Sequence, residues 1–323
     1  MSKIKNFKEF LKEEVYVQPQ PAVQQTQPPV QNSVQPTQSQ PEAKKLDPTK
    51  VNKKIDFTYL NKDANVDKIR QICETAKSPE NLNYIFGVVV GPEFVSETKK
   101  YLEDSGIKTI TVISYPDGDD KNSIKMKALQ KAISEGAEEV NVVMDYKKLT
   151  DALIETDKEK QEKMIQTIQT DIRSLVEYCK ERSTIIKIII EMEALSDTKT
   201  ISKAVEICKK TNVDFITTST GMYTRNTNYT FEKKMKDVTE VIVPMIEGMD
   251  DININVCGGV NGSDKLMLCL SNNKIQRISS SMTPQTLLNK QSPPPQTQIQ
   301  SPDSPAQTTQ SQPIQPQSQP PQQ

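Results

Sequence analysis

The chain has 323 residues, no histidine, and a formal net charge of −1 from 41 basic and 42 acidic side chains. The missing imidazoles exclude His-based triads, His metal sites and His acid–base catalysis, and the balanced charge gives no pull toward nucleic acid or an anionic membrane. Apolar residues make up only 34%, below the usual 45–50% or so, and the deficit is concentrated at the two ends.

Residues 1–45 begin with IKNFKEFLKEE (4–14), which places Ile4, Phe7, Phe10 and Leu11 on one helical face. Such a face can dock in a partner's groove; a frayed helix with no partner is the alternative. No signal-peptide pattern precedes it. Residues 18–41 are almost entirely Gln, Pro, Val, Ser and Thr, and residues 291–323 nearly all Gln, Pro, Ser and Thr. Neither can bury enough apolar surface to offset chain entropy, so both are expected to be disordered spacers. The remaining stretch, 46–290, is the size of a single α/β barrel domain. It has no apolar run of about 18 residues, so no membrane span is expected. Cys73, Cys179, Cys208, Cys257 and Cys269 are odd in number and form no CxxC pair. Reduced thiols in a cytoplasmic setting follow.

Within 46–290, short apolar runs alternate with amphipathic stretches. The runs are IDFTYL (55–60), IFGVVV (85–90), TITVIS (109–114), EVNVVM (139–144), IIKIII (185–190), DFITTS (214–219), NINVC (253–257) and RISSS (277–281). Continuous β-branched runs suit parallel strands covered on both sides. Between them, helical spacing covers 63–76, 125–135 (stopping at Gly136) and 157–182, and Ser196-Asp197 can cap a helix running to Lys210. Eight such repeats favour a closed (β/α)8 TIM barrel over an open doubly wound sheet. Neither GxGxxG nor GxxxxGK[ST] occurs, which counts against a nucleotide-binding sheet.

One strand carries a charge where burial is expected: TIIKIIIEM (184–192). Strand parity puts Lys187, Ile189 and Glu191 on one face and Ile186, Ile188 and Ile190 on the other. The charged set should look into the barrel. There, partial desolvation disfavours an ammonium, and a neutral amine can form a Schiff base. The alternative is a structural ion pair, since buried charges are usually paired.

KIIIEM (187–192) is similar to the KVIIET segment of deoxyribose-phosphate aldolases, and further matches follow in chain order. IDFTYL resembles IDHTLL, TVISYPDG (111–118) resembles TVIGFPLG, and GAEEVNVVMD (136–145) resembles GADEIDMVIN. DFITTSTG (214–221) resembles DFVKTSTG, CGGV (257–260) resembles SGGI, and RISSS resembles RIGTSS. The resemblance leaves out 1–45 and 291–323. It implies a (β/α)8 barrel that cleaves 2-deoxyribose 5-phosphate reversibly to glyceraldehyde 3-phosphate and acetaldehyde, with no metal or other cofactor. It implies Lys187 as the Schiff-base residue and places Asp56, in the matched opening segment, in the same catalytic set. It also suggests a homodimer, which no sequence feature here decides.

Several positions depart from that pattern. Asn141 stands where the family has its acid–base Asp, and an amide cannot shuttle a proton at neutral pH. Thr217 replaces the second Lys, so one support for a neutral Lys187 is missing. Phe57 replaces the opening His, and Asn255 the lysine before SGG. Asp145 and Glu191 each lie four residues from the position they would serve, about 13 Å along a strand, too far for simple substitution. Asp145 reads instead as a loop or cap residue, and Tyr223 and Arg225 as loop residues able to reach a ligand. The phosphate end of the family site has counterparts in Thr218, Ser219, Thr220, Gly221, Gly258, Gly259, Ser279, Ser280 and Ser281. Small residues and loop N–H groups there suit an anion, although tight barrel turns alone would also explain them.

Two main readings follow. One is a divergent Schiff-base lyase, weak on deoxyribose phosphate or acting on another small aldehyde. The other is a non-catalytic barrel that binds a phosphorylated sugar, or a protein partner through residues 4–14. A purely structural or assembly role is a third.

Overall fold

The computed structural model describes residues 48–223 and 225–290. The 4–14 segment and both Gln/Pro-rich stretches lie outside them. Eight strands, β1 (Ile55–Tyr59), β2 (Ile85–Val90), β3 (Lys108–Ile113), β4 (Glu139–Val143), β5 (Ile185–Ile189), β6 (Phe215–Thr217), β7 (Asn253–Cys257) and β8 (Ile275–Ser280), close in sequence order into one barrel. All neighbours are parallel, including the closing pair β1·β8. The (β/α)8 expectation is met, and the open sheet is set aside.

The principal helices run between strands: α1 (Val66–Lys77), α2 (Val95–Tyr101), α3 (Asn122–Ser134), α4 (Tyr146–Ile154), α5 (Lys158–Lys180), α6 (Thr198–Thr211), α7 (Phe231–Asp237), α8 (Ser263–Leu270) and α9 (Pro284–Asn289). Local chemistry starts and stops them. Asp157 caps α5 by accepting from the N–H groups of Glu159 and Lys160, and the α5 stripe Ile168, Ile172, Leu175, Val176 and Cys179 is buried. Asp197 caps α6 through the Thr200 N–H, and left-handed Asn212 ends it. Asp145 caps α4, as its cap reading anticipated.

Among the boundaries that differ from the sequence expectation, two have clear physical reasons. The first helix starts at Val66 rather than residue 63, because extended Asn65 accepts the Lys68 N–H and so fixes the cap there. The sixth strand stops at Thr217 rather than residue 219. Beyond it, the Ser219 and Thr220 hydroxyls donate to Glu193 and Glu191 and draw the chain across the barrel mouth. The short helices α2, α4, α7, α8 and α9 carry too few apolar repeats for periodicity to single them out.

All five cysteines are free, and all but Cys257 are buried. Among the described residues, no helix is long and apolar enough to cross a membrane.

Candidate active site

Lys187, the third residue of β5, is fully buried, and its neighbours Ile186 and Ile188 are buried too. The strand places its amine inside the barrel, as parity predicts, but beside two acids from the opening turns of other strands. Nζ donates to Asp56 Oδ2 of β1 at 2.6 Å and lies 2.7 Å from Glu139 Oε2 of β4. Arg277 of β8 closes the group at 3.7 Å from Asp56 Oδ1 and 3.6 Å from Glu139 Oε1. Its guanidinium carbon sits 3.2 Å from the centre of the Phe86 ring. Two cations and two anions thus neutralise one another near the N-terminal ends of the strands. Burial pushes the Asp56 carboxyl upward; Lys187 opposes that shift and Glu139 adds to it.

The ion-pair alternative therefore describes where the Lys187 amine sits. The sequence reading missed Glu139 and Arg277 as members of this group. Both were legible by parity, since Glu139 is two residues from Asn141 on β4 and Arg277 two from Ser279 on β8.

Above the charged layer the interior is polar but neutral. Asn141 is the register neighbour of Lys187 and donates to the Thr111 carbonyl at 3.3 Å. Asn255 Nδ2 donates to Thr217 Oγ1 at 3.3 Å and to Ser279 Oγ at 3.0 Å. The three positions where the family carries an acid and two lysines are thus occupied by side chains that cannot ionise near neutral pH. None adds a charge to the buried layer, so its two-against-two balance is undisturbed.

At the C-terminal ends of the strands the mouth opens into a cleft of ≈ 720 Å³. Thr220, Gly221, Gly258, Gly259, Ser279, Ser280 and Ser281 line it, together with Tyr115 and residues of the loop after β1. Thr218 and Ser219 do not line it. The Thr218 hydroxyl bridges the Cys257 backbone, donating to its carbonyl and accepting its N–H, while Ser219 donates to Glu193. Gly221 and Gly258 share left-handed φ values of 79°, and a Cβ on Gly258 would come within 3.1 Å of Gly221 Cα. Only glycine permits this close pass of two turns.

Behind that pass lies Lys234 of α7, 2% exposed, which the sequence reading also missed. Its ammonium donates to the carbonyls of Cys257 at 2.9 Å and Gly258 at 2.8 Å, and pairs with Glu193 Oε1 at 2.5 Å. Its nearest chain neighbours on the same helical face, Phe231 and Val238, are buried, but α7 is too short for that spacing to have marked it.

Glu191 departs from its expected place. β5 ends at Ile189, and Glu191 is left-handed, with φ 54°, so strand parity with Lys187 does not reach it. Its Oε2 accepts from the Thr220 N–H at 3.1 Å and from the Thr220 hydroxyl at 2.5 Å. Burial pushes its carboxyl up to about 7, and the neighbouring Glu193 adds to the rise. Beside it, Asp117, Tyr146, Tyr223 and Arg225 help line a second, smaller cavity.

Comparison with known proteins matches this architecture. A deoxyribose-phosphate aldolase from Treponema denticola is 31% identical over 195 residues, 59% of this chain and 83% of that protein. One from Mycoplasmoides pirum is 29% identical over 209 residues, 65% of this chain and 84% of that protein. Among solved structures, an aldolase named QR15 aligns with TM-score 0.57 and 26% identity over 72% of this chain and 91% of its own. The fold of a tetrameric deoxyribose phosphate aldolase from Aeropyrum pernix aligns with TM-score 0.60 and 20% identity over 75% of this chain and 91% of its own. The family model for DeoC/LacD family aldolases matches residues 44–276, from ahead of β1 to the second residue of β8, and the chain belongs to that family.

Proposed function

We propose that this barrel binds a phosphorylated sugar at its C-terminal mouth and that aldol cleavage of 2-deoxyribose 5-phosphate is weak or absent. One observation carries the reading: the Lys187 amine is held between Asp56 and Glu139, below a layer in which Asn141, Thr217 and Asn255 cannot ionise. A Schiff-base lysine has to present a free amine to a carbonyl, and this amine is fully buried and committed to two acidic side chains. A proton relay also needs a group that titrates, and losing one typically costs 10²–10⁴-fold in rate. Binding has different requirements. The cleft keeps small residues, left-handed glycines and hydroxyls at the barrel face where anion sites form.

The test joins trapping and binding. The full chain is incubated with 2-deoxyribose 5-phosphate or acetaldehyde, reduced with borohydride and weighed by mass spectrometry. No more than a trace adduct on Lys187 is expected, while calorimetry detects 2-deoxyribose 5-phosphate binding that Ser281→Asp weakens by charge repulsion. A robust cleavage rate lost in Lys187→Ala would overturn the catalytic half of the proposal. Absence of any binding would overturn the other half.

A further inference from the structure

The flank of the barrel holds a cavity of ≈ 370 Å³ that shares no residue with the mouth cleft. It lies where α3 and α5 cover the outward faces of β4 and β5. Val142 and Ile188 of the strands and Ile168, Ile172 and Leu175 of α5 are buried and give it an apolar floor. Lys125 of α3 stands in its wall, 7% exposed.

Three lysines are buried among the described residues, and Lys125 differs from the other two. Lys187 and Lys234 are held by carboxylates. Lys125 forms no ion pair among the described residues; its Nζ donates to the carbonyls of Gly118 at 2.7 Å and Val143 at 2.9 Å. Those two bonds do not require an ammonium. A neutral amine has two N–H groups, one for each carbonyl, and keeps a lone pair for a third direction. Burial pushes the amine below the usual lysine range, and Asp145, Asp120, Asp171 and Asp119 oppose that shift. Lys121 and Lys148, also in the cavity wall, act with burial, because neighbouring positive charge disfavours a further ammonium. A lysine desolvated against apolar surface is an activated nucleophile toward carbonyls.

We propose that Lys125 captures a small aldehyde with an apolar body as an imine, the body resting on the cavity floor. The amine attacks the carbonyl carbon and a C–N bond forms. The carbonyl oxygen takes both amine protons and leaves as water, and a C=N bond remains. Nothing is oxidised or reduced. Size sets the class of aldehyde. At roughly 30 Å³ per water-sized group, the cavity takes about twelve non-hydrogen atoms, so a chain of about six carbons fits. The inference stands apart from the sugar-phosphate reading of the mouth.

Reductive trapping with site mapping tests it. The full chain is incubated with hexanal or acetaldehyde, reduced with borohydride and digested, and the modified lysines are located by mass spectrometry. An ordinary lysine is only about 0.04% neutral at pH 7. Lys125 should therefore carry hexanal at least tenfold above any exposed lysine at that pH, and should favour hexanal over acetaldehyde about tenfold through burial of the longer chain. A purely structural Lys125, tying Gly118 to Val143 as an ammonium, would label no faster than the exposed lysines and would overturn the inference. Equal labelling of Lys125 by the two aldehydes would overturn it as well, since the cavity would then contribute nothing. Ile172→Phe narrows the floor and should erase the preference for hexanal while acetaldehyde still reaches Lys125; a preference that survives in this variant counts against the site. If Ile172→Phe does not fold, the two wild-type comparisons decide.

Discussion

The two ends of the barrel interior treat buried charge in opposite ways. Near the N-terminal ends of the strands, Lys187, Arg277, Asp56 and Glu139 form a closed set in which every charge faces an opposite one. At the mouth, Glu193 is compensated by Lys234, but Glu191 beside it has no ion-pair partner among the described residues and is hydrogen-bonded to Thr220 and Glu193 instead. A balanced buried set holds the fold and resists change, because removing any member strands another. An unbalanced group costs stability and is retained most readily where a ligand can complete it. The contrast leaves the amine of Lys187 fully compensated and the acid at the mouth without a cation.

The largest effect expected from breaking this contrast is at Lys187. Lys187→Met leaves two carboxylates with one guanidinium, and we predict a loss of about 3–5 kcal/mol, the usual cost of breaking a buried pair. The charge-balanced double variant Lys187→Met/Asp56→Leu retains the Arg277–Glu139 pair and should unfold at a higher urea concentration than the single. Equal midpoints for single and double would show that charge balance does not govern this layer.

Rebuilding the family's relay should have the next largest effect. Asn141→Asp with Thr217→Lys adds one charge of each sign, and we predict a rise of about 10²-fold in 2-deoxyribose 5-phosphate cleavage, at the low end for a restored acid–base group because Lys187 stays ion-paired. Asn141→Asp alone adds an unpaired buried carboxylate and should lower stability with no gain in rate. A steady-state assay alongside a melting curve separates the two outcomes.

The effect at the mouth is confined to one pH window. The Glu191 carboxyl titrates near 7 in the folded chain against 4.5 as a free side chain. The folded state therefore binds more protons than the unfolded state across that window, and stability falls as pH rises through it. Glu191→Gln removes the titration while keeping an acceptor for Thr220. The two proteins should melt alike near pH 4, and the variant should gain about 3 kcal/mol by pH 8. The groups around Glu191 that could blur this are Glu193, Tyr115, Tyr146 and Cys257, together with Asp117 and Arg225 on the cavity walls. A stability difference independent of pH would mean that Glu191 is not the titrating group.

Legibility in the sequence followed the range of the interaction. The strands of the barrel, the caps Asp145 and Asp197, and the α5 stripe were readable because they depend on residues one to four positions apart. The lining of the mouth cleft was largely readable for a similar reason, as runs of small residues after strands; Thr218 and Ser219 do not line it, because their hydroxyls are taken by Cys257 and Glu193. Glu191 was misplaced because parity holds only while a strand continues, and nothing local in IIIEM announces that the strand ends at Ile189.

The sequence alone determined the period of the barrel, the inward direction of Lys187 and the absence of ionisable groups at positions 141, 217 and 255, since each is a matter of residue type and strand alternation. Only the tertiary structure decided what Lys187 touches. Asp56 lies 131 positions away in the chain, and closing β1 against β8 and β4 against β5 is what brings two acids and an arginine around one amine. The surroundings of Glu191 are likewise a property of the assembled mouth, because Thr220, 29 positions away in the chain, supplies two of its hydrogen bonds.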